Sequence, residues 1–104
     1  MKYKVVLTKN AQNRILEIHK FIVETYADCL AADKVLNYII KEANSLADFP
    51  RFKKVTLVAA GKEYRFSTTR KYTLAYYVDE ESKTVFVKTV FSCRRNIESI
   101  LPEL

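Results

Sequence analysis

The sequence predicts one α+β domain, a mostly antiparallel curved sheet covered on one face by a helical hairpin. Two consecutive amphipathic helical patterns, a concentration of strand-like alternation in the last third, and one strand pattern at the very start carry that expectation. The predicted order is β-α-α-β-β-β followed by a short C-terminal helix, with residues 1–104 forming a single domain.

The first element runs from Lys2 to Leu7, where Lys2 and Lys4 alternate with Tyr3, Val5 and Leu7 as in a strand with one buried face. Thr8 is a suitable cap for the helix that follows. In that helix Ala11, Ile15, Ile18, Ile22 and Tyr26 recur at three- and four-residue steps and form one apolar stripe, with Lys9, Arg14, Glu17, Lys20 and Glu24 opposite. Asp28 caps a second helix whose stripe is Ala32, Leu36, Ile39, Ala43 and Leu46, broadened by Val35, Ile40 and Ala47. Pro50 prevents it from continuing. Two such helices separated by a few residues make an αα-hairpin.

The segment from Arg51 to Lys62 reads as a loop leading into a short strand, and contains the only glycine, Gly61. Strands are predicted at Glu63–Ser67, Tyr72–Val78 and Thr84–Phe91, with Asp79–Lys83 as a polar hairpin turn lacking glycine. Asn96 then caps a last short helix bearing Ile97, Ile100, Leu101 and Leu104. A helical hairpin hides its stripes by covering one sheet face, which leaves the other face wet and available for function. The expectation is a basic concave surface there, gathered from Arg65, Arg70, Lys71, Arg94 and Arg95.

The chain has a net charge of +6 and a pI near 9.4, which points to an anionic partner such as nucleic acid or an acidic protein. The excess is not confined to a tail: residues 1–60 carry ten basic and six acidic side chains, and residues 61–104 carry eight and six. No apolar run approaches the roughly 20 residues of a membrane span. The N-terminus lacks the apolar core and small-residue cleavage site of a signal peptide, so a cytoplasmic location is expected. Cys29 and Cys93 lie outside any metal-ligand spacing and read as two free thiols, and His19 alone cannot build a metal site. Neither metal nor cofactor is expected.

Taken in order, several local patterns resemble the RelE/ParE superfamily of toxins. They are the opening strand VVLTKNA, the helix rhythm of Ile15, Ile18, Phe21 and Ile22, the strand bearing Tyr72, Leu74 and Tyr76 ahead of Val78 and Asp79, and the closing VKTVFSCRRNIESIL. The resemblance spans nearly the whole chain. It implies the toxin of a bacterial type II toxin–antitoxin pair, neutralised by a small acidic antitoxin that lies across it and forms an oligomer with it. Two activities occur in the superfamily: ParE-like members block DNA gyrase by binding, and RelE-like members cut mRNA on the ribosome without a metal. The resemblance leaves open whether the role is plasmid stabilisation or a stress response.

Metal-free RNA cleavage needs a base, a positive charge for the phosphorane and an acid. Laid on the RelE-like pattern, Arg65 and Arg94 match basic positions, and Arg70 or Lys71 would serve from the turn before Tyr72. Three positions depart from it. Ser67 stands where a second basic residue is usual, Thr73 where an arginine follows the strand tyrosine, and Ser92 where many relatives carry histidine. Arginine stays protonated, so it clamps phosphate but is a poor proton shuttle. The expected function is therefore a ParE-like toxin that blocks its target, DNA gyrase, by binding through Arg65, Arg70, Lys71, Arg94 and Arg95. The alternatives are an RelE-like ribosome-dependent mRNA endonuclease using Arg65, Arg70 and Arg94, and a basic nucleic-acid-binding module.

Overall fold

The computed structural model describes residues 2–104. Its elements are β1 (Lys4–Leu7), α1 (Lys9–Tyr26), α2 (Cys29–Ser45), β2 (Val55–Ala59), β3 (Lys62–Thr69), β4 (Tyr72–Asp79), β5 (Thr84–Ser92) and α3 (Ile97–Ile100), closed by a 3-10 turn at Leu101–Glu103. The five strands form one sheet in the order β1-β5-β4-β3-β2. Only β1 and β5 pair in parallel; the other neighbours are antiparallel. This is the predicted α+β class with one further strand. No helix among the described residues is long and apolar enough to cross a membrane.

The helix starts follow the predicted caps. The Thr8 hydroxyl accepts from Ala11 N and also donates to Val87 O at 3.0 Å, which fixes α1 to β5 at its first residue. Asp28 accepts from Ala31 N at 3.0 Å, and Asn96 from Glu98 N at 2.8 Å. The link between α1 and α2 is two residues, Ala27 in the left-handed region at φ 50° and the cap Asp28. His19 lies on the helix interface, its Nε2 2.9 Å from Asp33 Oδ1. Ala11, Ile15, Ile39, Ala43 and Leu46 then pack against Leu74, Tyr76, Val85, Val87 and Val90 of the sheet. The Tyr76 hydroxyl, wholly buried, donates to Pro50 O at 2.6 Å, and burial pushes its pKa up to about 12.

The additional strand β2 lies inside the segment read as a loop. Its register slips between Val55 and Leu57, a bulge at Thr56 that breaks the two-residue alternation by which a strand is recognised. A two-residue turn, Ala60–Gly61, joins β2 to β3 with both φ angles positive at 51° and 74°, the type I′ geometry that twists with a hairpin. In the β4–β5 turn the Asp79 carboxylate accepts from Glu81 N and Ser82 Oγ, and Lys83 takes the left-handed conformation usually left to glycine.

The face of the sheet away from the helices is neither wet nor basic. Thr73, Ala75 and Tyr77 of β4 point there with Tyr64 and Phe66 of β3 and Thr89 and Phe91 of β5. Ala75 and Thr89 are fully buried. The C-terminal segment covers this face: Ile100 and Leu104 pack on Ala75, Phe66 and Phe91, and Tyr64 donates its hydroxyl to Leu104 O at 3.1 Å. Phe66 and Phe91 meet edge to face at 5.5 Å, and Tyr77 stacks on Phe86 at 5.2 Å. The expectation of a basic concave face is thus overturned, because aromatic rings, alanine and buried threonines occupy its centre and need a cover of their own.

Alanine at position 60 carries a Cβ in a left-handed turn. Ala60→Asn, which creates the Asn-Gly pair favoured in type I′ turns, is expected to raise unfolding stability by about 0.5–1 kcal/mol. An unchanged midpoint in chemical denaturation would show that the turn is not strained.

Candidate functional site

The cationic residues gather at one end of the sheet, beside the helical hairpin. The β3–β4 turn presents Arg70 and Lys71, and Cys93 N donates to Lys71 O at 2.8 Å, holding the end of β5 against that turn. Arg94 therefore lands beside Arg70 and Lys71 in a cleft of about 600 Å³ whose walls are Phe21, Ile22 and Tyr26 of α1 and Ala31, Val35 and Tyr38 of α2. Tyr72 and Ser92 complete it. Shared residues join it to two neighbouring clefts. Phe21, Tyr72 and Ser92 lead on to Arg14, Glu17 and Arg95, while Tyr38 and Arg70 lead on to Lys34 and Lys41. The result is a long groove with an aromatic interior and a basic rim.

Arg70 sits in the left-handed region at φ 54°, a conformation that costs a non-glycine residue of order 1 kcal/mol or more. In that position its guanidinium lies 4.9 Å from the centre of the Tyr38 ring, a cation–π contact. Arg70, Lys71, Arg94, Lys34 and Lys41 make no ion pair among the described residues. Within this cleft Tyr26, Tyr38 and Tyr72 converge. Burial first, then the neighbouring Tyr38 and Tyr26 phenols, raise the Tyr72 pKa above its ordinary value, so this hydroxyl stays protonated.

Of the other predicted site residues, Arg65 goes elsewhere, and Arg95 stands in the adjoining cleft, outside the central one. Arg65 pairs in register with Tyr76, faces the helix side of the sheet, and donates to the backbone carbonyl of Lys53 and, at 3.5 Å, to that of Arg51. It is a strut for the 51–53 loop and does not join the groove. Arg95 turns away from Arg94: its guanidinium reaches Ser99 Oγ, Ser99 O and, at 3.5 Å, Glu103. The turn closed by Arg95 N donating to Ser92 O sends the two adjacent arginines in different directions. Ser67 is buried and donates to Glu42, and Thr73 is buried against Thr68 and Cys93, so neither faces the groove. Of the three departures from the nuclease pattern, only Ser92 lines it. Cys29 and Cys93 are free thiols.

Glu103 secures the end of the chain. Its carboxylate, 11% exposed, accepts from Arg14 Nε at 2.8 Å, Thr89 Oγ1 at 2.6 Å and Asn10 Nδ2 at 3.2 Å. Burial alone would push this carboxyl up, but the bonds from Arg14, Thr89 and Asn10 together outweigh it and hold the pKa at about 2.

The sequence does not pick out the groove's aromatic residues as site residues. Phe21 and Tyr26 were assigned to the helix pattern, and Tyr38 of α2 to no role. Tyr26 is 68% exposed and Phe21 60%, which places both outside the core stripe. The signal available for Phe21 and Tyr38 was two large aromatics outside stripes already complete without them; Tyr26 falls on its stripe and gave none.

An open sheet under a helical hairpin is the fold of the RelE/ParE superfamily of toxins. Sequence comparison narrows this further: the family model for the ParE toxin of type II toxin–antitoxin systems, parDE, matches residues 5–97, and the chain belongs to that family. Among solved structures it is similar to a chain of the toxin–antitoxin complex RelBE2 from Mycobacterium tuberculosis, with a TM-score of 0.69 and 18% identity over 91% of this chain and 95% of that one. At that identity the likeness concerns the fold. No curated protein sequence matches the chain.

Because the folded pKa of Glu103 lies below the ordinary 4.5, its contribution to stability is fully present above about pH 4.5 and disappears as pH falls towards 2. Glu103→Gln is expected to cost on the order of 2 kcal/mol at neutral pH and to flatten the loss across that window. Denaturation series at pH 7 and pH 3 measure it. Equal pH dependence in the two proteins would contradict the clamp.

Proposed function

We propose that the chain is the toxin of a type II module that inhibits its target by binding, with DNA gyrase as that target, and that an acidic antitoxin neutralises it. The observation that carries this reading is the make-up of the groove. Its central cleft combines three unpaired cations, Arg70, Lys71 and Arg94, with Phe21, Tyr26, Tyr38 and Tyr72, and contains no carboxylate or imidazole. Such a surface holds an anionic, partly apolar partner tightly. It offers no group that changes protonation near neutral pH, which acid–base cleavage of RNA requires. The carboxylate lining the adjoining cleft, Glu17, is paired with Arg14 at 2.8 Å.

An RelE-like endonuclease would have to work with Arg70, Lys71 and Arg94, since Arg65 stands apart as a strut. Family membership supports the ParE-like reading, whereas fold likeness does not choose between activities. The fold relative was solved with an antitoxin, which supports a similar partner here, and the basic rim favours acidic residues on it. A toxin of this kind acts in the cytoplasm, in oligomers with its antitoxin.

Gyrase supercoiling of relaxed plasmid in the presence of the purified chain tests this directly. Arg70→Ala and Arg94→Ala are each expected to weaken inhibition roughly tenfold to a hundredfold while leaving the melting temperature near that of the parent. Arg65→Ala is expected to lower the melting temperature instead, with inhibition per folded molecule retained. Supercoiling that proceeds undisturbed at a large excess of the parent protein would rule gyrase out.

A further inference from the structure

The loop between α2 and β2 is braced from inside, yet it turns its aromatic side chains outwards. Tyr76 donates to Pro50 O at 2.6 Å, Arg65 donates to Lys53 O and, at 3.5 Å, to Arg51 O, and Phe52 N donates to Phe49 O at 3.2 Å. These bonds fix a turn on which Pro50 is buried while Phe49 is 77% and Phe52 82% exposed. Both rings border one hollow together with Lys53, so they stand on the same side of the loop. Val55 and Val58, exposed on the helix side of β2, extend the apolar surface. Exposed apolar groups gathered in one place mark a contact site, and a braced loop loses little freedom on making the contact.

Charge and shape select the partner. The run Phe49-Pro50-Arg51-Phe52-Lys53-Lys54 interleaves rings with cations, and Lys62 stands across the β2–β3 turn. Lys53, Lys54 and Lys62 make no ion pair among the described residues. A second copy of this chain would set these lysines against their own kind. The hollow beside the rings is about 270 Å³, below the usual size of a ligand pocket. A lipid surface needs no shaped pocket. Rings that enter the boundary between headgroups and acyl chains, beside lysines that reach back to the phosphates, are the two elements of attachment to an anionic bilayer. We infer that this loop docks the protein on the surface of a bilayer containing anionic phospholipid. Phe49 and Phe52 enter at the headgroup level, and Lys53, Lys54 and Lys62 lie over the phosphates. No helix among the described residues is long and apolar enough to cross a membrane, so the contact is peripheral, and two rings with a few lysines make it reversible. None of these residues lines the cleft of Arg70 and Arg94, so docking leaves that cleft open. The inference does not depend on gyrase being the target.

Co-sedimentation of the full chain with lipid vesicles tests it, using phosphatidylglycerol mixed into phosphatidylcholine as the probe and phosphatidylcholine alone as control. Binding is expected to the mixed vesicles only, and to weaken with salt. Replacing both rings (Phe49→Ala with Phe52→Ala) or both lysines (Lys53→Gln with Lys54→Gln) is expected to lower the affinity roughly tenfold or more. All four side chains are at the surface or its margin, so both variants should melt near the parent temperature. Arg70→Ala with Arg94→Ala should bind vesicles nearly as the parent does. The chain has no tryptophan, so Phe52→Trp supplies a direct reporter, whose emission is expected to shift to the blue on the mixed vesicles. Absence of binding by the parent would overturn the inference. So would binding that survives loss of both rings and vanishes with Arg70 and Arg94, because attraction to the groove alone would then explain it. A blue shift produced by an acidic glutamate–valine peptide and not by vesicles would assign the loop to a protein partner and overturn it as well.

Discussion

Strand β4 must bury both of its faces, and most of what this protein can do follows from that. Leu74, Ala75 and Tyr76 are consecutive and all fully buried, so side chains on both sides of the sheet are withdrawn from water. The helical hairpin covers one side. The other is covered by a C-terminal segment of a few residues, too short to hold itself in place by apolar contact alone. Glu103 supplies the anchor, accepting at once from α1 and β5 and thereby joining both layers to the chain end. Charged groups have no room on either face of the middle of such a sheet.

They collect instead at its perimeter, and there the fold sorts them by role. Arg14, Arg95, Arg51 and Lys83 are matched to Glu103, Glu17 or Glu80 and belong to the architecture. Arg65 is matched to backbone carbonyls. Arg70, Lys71 and Arg94 are left without partners within one cleft, where like charges repel and where Arg70 additionally holds a left-handed backbone. An arrangement that lowers the stability of the isolated protein in two ways is understandable where an anionic partner offsets both. On the proposed function, the tyrosines and Phe21 between these cations would supply the apolar contact from which affinity comes, and the rim the steering.

Much of this was legible from residue order. Thr8, Asp28 and Asn96 cap the helices as their types require, and the stripes of Ile15, Ile22, Ile39 and Ala43 face the core as their spacing requires. The misses have local causes. β2 escaped because one bulged residue at Thr56 destroys the alternation, and Tyr26 looked like core because it falls on the helical period although it is exposed in the cleft. The direction of Arg65 depends on its register with Tyr76, which no single-strand pattern contains. The covered second face was the larger error. The apolar residues Ile100 and Leu104 were visible, but a short terminal helix carries no signal of which surface it packs on. The separation of Arg94 from Arg95 depends on a turn hydrogen bond and on a glutamate eight residues away from Arg95.

On the proposed function, the cationic, aromatic groove works by holding a partner and performs no proton transfer. Mapping mRNA ends after adding the purified chain to a reconstituted bacterial translation reaction tests that claim most directly. The groove described here predicts intact message, at protein concentrations well above those of the ribosomes. Cuts within codons at the ribosomal A site would contradict it, and would require a proton donor and acceptor in a cleft whose titratable groups are arginine, lysine and tyrosine.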